Sequence, residues 1–226
     1  MDLLERIDAL IAERHLLKHP FYTKWKAGEL TRDELQEYAR QYYAFESSFP
    51  RFLSALHSRT EDAGVRQRIL DNLWDEEHGK DNHAEMWLQF AEGIGVARDD
   101  VKSAPRNAAT QSLVDMYREV TAEQPVAEGV AAIYAYERQV PEVAQTKIDG
   151  LKRHYGIDDA AALRFFVIHG VLDIEHSGHE RDMLGELAVG QDAEAISSTT
   201  QRALDAWWDF LSAVDMPATE PVTAGA

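Results

Sequence analysis

The stretch HGVLDIEH, His169 to His176, decides how this chain is read. A helix advances about 100° per residue, so His169, Asp173 and His176 fall at about 0°, 40° and −20°, stacked on one face. Two imidazoles and a carboxylate aimed at one point make half of a metal site. The neighbours Phe165, Phe166, Ile168, Val171 and Leu172 predict a largely buried helix, in which acids and histidines need partners. Taken alone, the three residues would also suit a hydrogen-bonded core cluster or a solvated stripe. His179 extends the row by one turn, toward solvent.

Two further stretches offer matching groups. In WDEEHGKDNHAEMW, Trp74 to Trp87, Glu76 and His83 are seven apart. On one continuous helix they would differ by only about 20°. Asp75, Glu77, His78, Asp81 and Glu85 offer other pairings in the same stretch, most of them expected on the wet face. In AAIYAYERQVPEVAQTK, Ala131 to Lys147, Glu137 follows a small, apolar and aromatic run. A carboxylate there is either at the water boundary or bound to something. Pro141 removes a backbone hydrogen bond and should kink the helix. Together Glu76, Glu137, Asp173, His83, His169 and His176 could hold two divalent cations. Three carboxylates would leave that site net positive, with open positions for O2 or a substrate. A ferritin-like di-iron bundle would show two Glu-x-x-His motifs. The chain has none, so a different helical scaffold is needed.

The 226 residues suffice for one large domain with a sizeable core. The formal net charge of −17 disfavours nucleic acid and anionic membranes as partners. With no cysteine, disulfides, thiolate zinc sites, iron–sulfur clusters and thiol nucleophiles are excluded. Any metal must be held by His, Asp and Glu, which suits Fe, Mn or Zn. Charges interrupt the apolar residues of the N-terminus throughout, so no signal peptide is expected. No apolar run is long enough for a membrane span. The expected compartment is the cytoplasm.

Helical periodicity dominates and no convincing strand appears. The expectation is an all-α, single bundle of about seven helices. They run over about Leu3–Leu17, from the capping box Thr31–Glu34 to Leu56 with a bend at Pro50, and over Ala63–Glu92. Four more cover about Asn107–Thr121, Pro125–Tyr155, a helix capped by Asp158 or Asp159 to Val189, and Ala193–Val214. One domain spans 1–216, and 217–226 is expected to be a disordered tail.

Glu76-x6-His83, then Glu137, then His169-x3-Asp173-x2-His176 resembles the haem-oxygenase-like dimetal oxidases. It looks most like the branch named for the Chlamydia protein associating with death domains, related in fold to the PQQ-synthesis oxidase. The match spans nearly the whole chain, including the intervals between the three helices. The resemblance implies a haem-oxygenase-like fold and identifies Glu76, His83, Glu137, His169, Asp173 and His176 as ligands of two metal ions, Fe/Fe or Fe/Mn. It further implies O2 and an external reductant as co-reactants and a homodimer. Some members make p-aminobenzoate for folate synthesis from their own side chains, a tyrosine giving the ring and a lysine the amino group. Tyr22 in HPFYTKW and Lys147 in AQTKIDG match those positions. Tyr38 and Tyr136 match family tyrosines near the metals. One tension accompanies Lys147: on a continuous helix it would lie about 15 Å beyond Glu137.

Two other readings are weighed beside this one. A dimetal oxidase could cleave an external fatty or amino acid, its carboxylate held by Arg138 or Arg164. A non-enzymatic helical interaction protein would need no metal, but six buried titratable groups without one would be expensive.

Overall fold

Caps and prolines set where the helices of this chain begin and break. A computed structural model describes residues 2–215, so the tail expected over 217–226 lies outside the described residues. Within them the chain forms twelve α-helices and no strand. They are α1 (Leu3–Glu13), α2 (Pro20–Ala27), α3 (Arg32–Glu46), α4 (Phe49–Arg59), α5 (Ala63–Glu77) and α6 (His83–Gly93). Then come α7 (Arg98–Ser103), α8 (Ala108–Ala122), α9 (Val126–Glu137), α10 (Val140–His154), α11 (Ala160–Leu187) and α12 (Ala193–Val214). Both halves of the expected capping box form: the Glu34 amide donates to Thr31 Oγ1 at 3.2 Å and the Thr31 amide to Glu34 Oε2 at 2.6 Å. Asp159 caps α11, as one of the two residues expected there.

The class is as expected, but long helices anticipated as continuous are divided. A proline ring clashes with the carbonyl four residues earlier. For Pro50 that residue is Glu46, and for Pro141 it is Glu137. These are the last residues of α3 and α9, and each proline then starts the next helix in its first turn. The expected Ala63–Glu92 helix breaks as well. Gly79 takes a left-handed φ of 84° and Asn82 caps α6, its side chain accepting from the Glu85 amide. Glu76 and His83 therefore stand on two helices, and the one-helix geometry expected for them does not hold.

α11 lies centrally, packed on α6, α9 and α10, while α12 covers α8 and α9. Its ligand-bearing face is buried, but Val171 is 67% exposed, against expectation. The break before α10 turns that helix back against α2. A Cβ on Gly150 would meet the Trp25 ring at 2.5 Å, so only glycine permits this approach. The Trp25 indole N–H then donates to the Lys147 carbonyl at 3.3 Å, which fixes the turn carrying Lys147 beside the helix carrying Tyr22.

Candidate metal centre

The ends of α3, α5 and α6 and the middle of α11 meet inside the bundle. Ligand atoms of Glu46, Glu76, His83 and His169, all buried, lie within 4.8 Å of one another. His83 Nδ1 is 2.9 Å from Glu76 Oε2, yet the pair is not aligned as a hydrogen bond and both atoms are left without a partner. His169 donates from Nδ1 to the Phe165 carbonyl at 2.8 Å, because a carbonyl can only accept. That tautomer leaves Nε2 as a bare lone pair, 3.8 Å from Glu76 Oε1.

A second group lies one turn further along α11. His176 Nδ1 is 3.8 Å from Asp173 Oδ1 and 4.0 Å from Glu137 Oε2. The opposite ring nitrogen donates to Asp75 Oδ2 at 3.1 Å, which again turns a lone pair inward. The Asn72 amide donates to both Glu137 oxygens, at 3.0 and 3.1 Å. Both Asp173 oxygens and His176 Nδ1 are buried without hydrogen-bond partners.

Electrostatics describe the same crowding. Burial, with the charge of Glu76, pushes the Glu46 carboxyl well above the carboxylate range. Burial and the Glu137 charge do the same to Asp173. Burial would also raise Glu76, but the charges of and contacts with His83 and His169 outweigh it and hold that carboxyl low. Burial would lower His83, but Glu76 raises it to about 9. Orphaned lone pairs and mutually repelling acids are what a cation relieves. The donor set of imidazoles and carboxylates fits two divalent ions such as iron or manganese.

Of the other residues singled out in the sequence, Tyr22, Tyr136 and Lys147 lie in an adjoining cavity and Tyr38 packs beside it. Tyr22, Tyr42, Tyr136, Lys147, Phe165, Phe166 and His169 line it, so His169 faces both ligand cluster and cavity. Lys147 Nζ stands 5.9 Å from the Tyr22 ring centre, 5.2 Å from that of Tyr38 and 5.0 Å from that of Tyr42. Among the described residues it makes no ion pair. Burial lowers it to about 7, the Glu46 charge only partly opposing. The tension over reach disappears because α9 and α10 are not one helix. Tyr136 stacks on Trp207 at 4.7 Å, and its hydroxyl bonds that of Tyr42. Arg138 and Arg164 line neither this cavity nor the cluster: Arg138 is exposed and Arg164 pairs with Asp81 at 3.5 Å.

Sequence reasoning missed Glu46 and Asn72, and it named Asp75 only as one of several alternative pairings. Glu46 had a signal: FESSFP and YERQVP share an aromatic residue, a glutamate and a proline four residues on. The Asp75 side chain is 41% exposed while it orients His176.

Residues 36–208 match the family described as iron-containing redox enzymes. The chain belongs to this family. It is 38% identical over 218 residues to the 4-aminobenzoate synthase of Chlamydia pneumoniae, covering 96% of each. Against the 4-aminobenzoate synthase of Nitrosomonas europaea it is 38% identical over 220 residues, covering 93% of this chain and 89% of the relative. The fold superposes on a TenA homologue from Pseudomonas syringae pv. tomato with a TM-score of 0.81 and 15% identity, covering 94% and 90% of the two chains. The family's description names iron, and the buried acids and imidazoles are groups able to bind such a metal.

Proposed function

We propose that this chain makes 4-aminobenzoate, using its own Tyr22 as the ring and Lys147 as the amino donor. The reading is supported by one observation above the others. Lys147 Nζ lies among the rings of Tyr22, Tyr38 and Tyr42 in a cavity that shares His169 with the ligand cluster. The ring carbons and Cβ of a tyrosine are the carbon skeleton of 4-aminobenzoate. Relatives named 4-aminobenzoate synthase, similar over most of their length, support the same product.

In this reading Glu46, Glu76, His83 and His169 hold one ion and Glu137, Asp173 and His176 the other. The pair is Fe/Fe or Fe/Mn, in a cytoplasmic homodimer. When bound and reduced, such a pair supplies O2 activation. The protein's own residues do the rest. Phe165 and Asp75 fix the imidazole tautomers. Burial raises the Tyr22 hydroxyl further above its ordinary value, so the phenol is protonated throughout the working pH range. Burial also leaves a large neutral fraction of Lys147, which is the nucleophilic form. Tyr38 stands beside Tyr22 and Lys147 and Tyr136 lines the same cavity, so their rings help exclude water from the reacting pair.

The test is protein loaded with Fe(II), with and without Mn(II), given reductant and O2 but no organic substrate. Protein labelled with ring-13C tyrosine and 15N lysine should release 4-aminobenzoate carrying both labels. Tyr22→Phe should release none while retaining its metals; product from that variant would refute the reading. A second cavity, lined by Leu53, Leu56, Ile69, Val130, Ile133 and Met183 with Arg68 at its wall and reaching His176, is the place for the alternative, an external fatty or amino acid. Two bound metals and no product without added substrate would move the assignment there.

A further inference from the structure

Glu180 is a buried carboxylate that nothing above uses. It sits on α11 four residues beyond His176, only 2% exposed. Asp173, His176 and Glu180 keep one azimuth, since eleven residues from His169 return to within about 20° of it. The row therefore continues through Glu180 and not through His179, which is half-buried.

Neither oxygen of Glu180 has a hydrogen-bond partner. Its carboxyl lies against that of Glu137, whose two oxygens each accept from the Asn72 amide and keep a further lone pair. Two facing ionised carboxylates have acceptors only, so either a shared proton or a cation must stand between them. Among the described residues no lysine or arginine pairs with Glu180. Arg68, beside it at the wall of the second cavity, pairs instead with Glu186 at 2.5 Å.

The two ion positions are also unequal without it. One gathers four ligand residues: Glu46, Glu76, His83 and His169. The other has Glu137, Asp173 and His176. We infer that Glu180 is the fourth protein ligand of the second ion, making that position one imidazole and three carboxylates. This rests on the two-metal reading of the site. It makes the second position richer in hard oxygen donors than the first, which has two imidazoles.

The test is equilibrium dialysis against Mn(II), and against Fe(II) without air, with metal counted per chain. Wild type should hold two ions. Glu180→Gln keeps the shape but loses the charge; it should hold the first ion at wild-type affinity and the second ten- to a hundredfold more weakly. Its metal-free form should melt no lower than wild type, because one of two facing carboxylates is gone. Glu180→Gln holding both ions at full affinity would overturn the inference and make Glu180 a protonated partner of Glu137. If that variant does not fold, Glu180→Asp decides, since its carboxylate stops one methylene short. Weakened second-ion binding is then expected, and an unchanged second ion overturns the inference. Wild type holding fewer than two ions would instead overturn the two-metal reading itself.

Discussion

At the scale of single residues, Lys147 and Asp75 show how environment assigns a role. Lys147 has an ordinary ammonium until burial among aromatic rings lowers it to about 7. A base whose folded pKa is depressed destabilises the fold in full below the folded value. That penalty is relieved as pH climbs from about 7 toward the ordinary lysine value. Lys147→Met should therefore be more stable than wild type at pH 6, with the advantage shrinking by pH 10, as read by denaturant melts at both pH values. A constant difference would mean the amine titrates normally. Asp75 is half in solvent, so its removal costs little packing. Its bond to His176 Nε2 nevertheless selects the tautomer that faces the cluster. Asp75→Ala should weaken the ion held through His176 by about 10–100-fold with an unchanged melting temperature in the metal-free protein.

At the scale of elements, the two Glu–Pro breaks do the positioning. Ending α3 at Glu46 and α9 at Glu137 puts a carboxylate at each helix terminus, pointing into the cluster. It also frees α10 to fold back toward Tyr22. Pro141 is not the sole cause of the second break. Gln139 is fully buried, accepts from the Leu16 amide at 2.7 Å and donates to the Ala135 carbonyl at 2.6 Å. Gln139→Ala strands a buried backbone N–H and should cost about 1–3 kcal/mol in chemical denaturation. Pro141→Ala strands nothing and should cost less. The reverse order would mean that the proline alone holds the break. The breaks were partly legible, since both prolines were read as bends. That they end helices at ligand-bearing residues was not, because a bend and a break differ only in what packs on the far side.

At the scale of the whole molecule, the bundle encloses more buried acids than its own cations neutralise, so metal and proton compete for the same groups. His83, raised to about 9 by Glu76, must shed its proton before it can bind an ion. In the metal-free fold the raised value contributes stability fully present below the ordinary histidine pKa and lost as pH rises through about 9. An ion in its place should not be lost over that window. The gain in melting temperature on adding Mn(II) should thus grow from pH 6 to pH 9. A gain that shrinks with pH would place the ion away from His83. Among the described residues no helix is long and apolar enough to cross a membrane.

The all-α class, the family and the row His169–Asp173–His176 were determined by sequence alone. Helical periodicity is local, and one unbroken helix keeps every residue of the row in register. The pairing of Glu76 with His83 came from the spacing of a helix that does not exist there, yet the two meet because a tight loop returns α6 beside α5. Glu46, Asn72, Glu180 and the approach of Lys147 to Tyr22 were decided only by tertiary structure. Each depends on which helix end packs against which face, and such contacts are made between residues far apart in the chain, where periodicity carries no information.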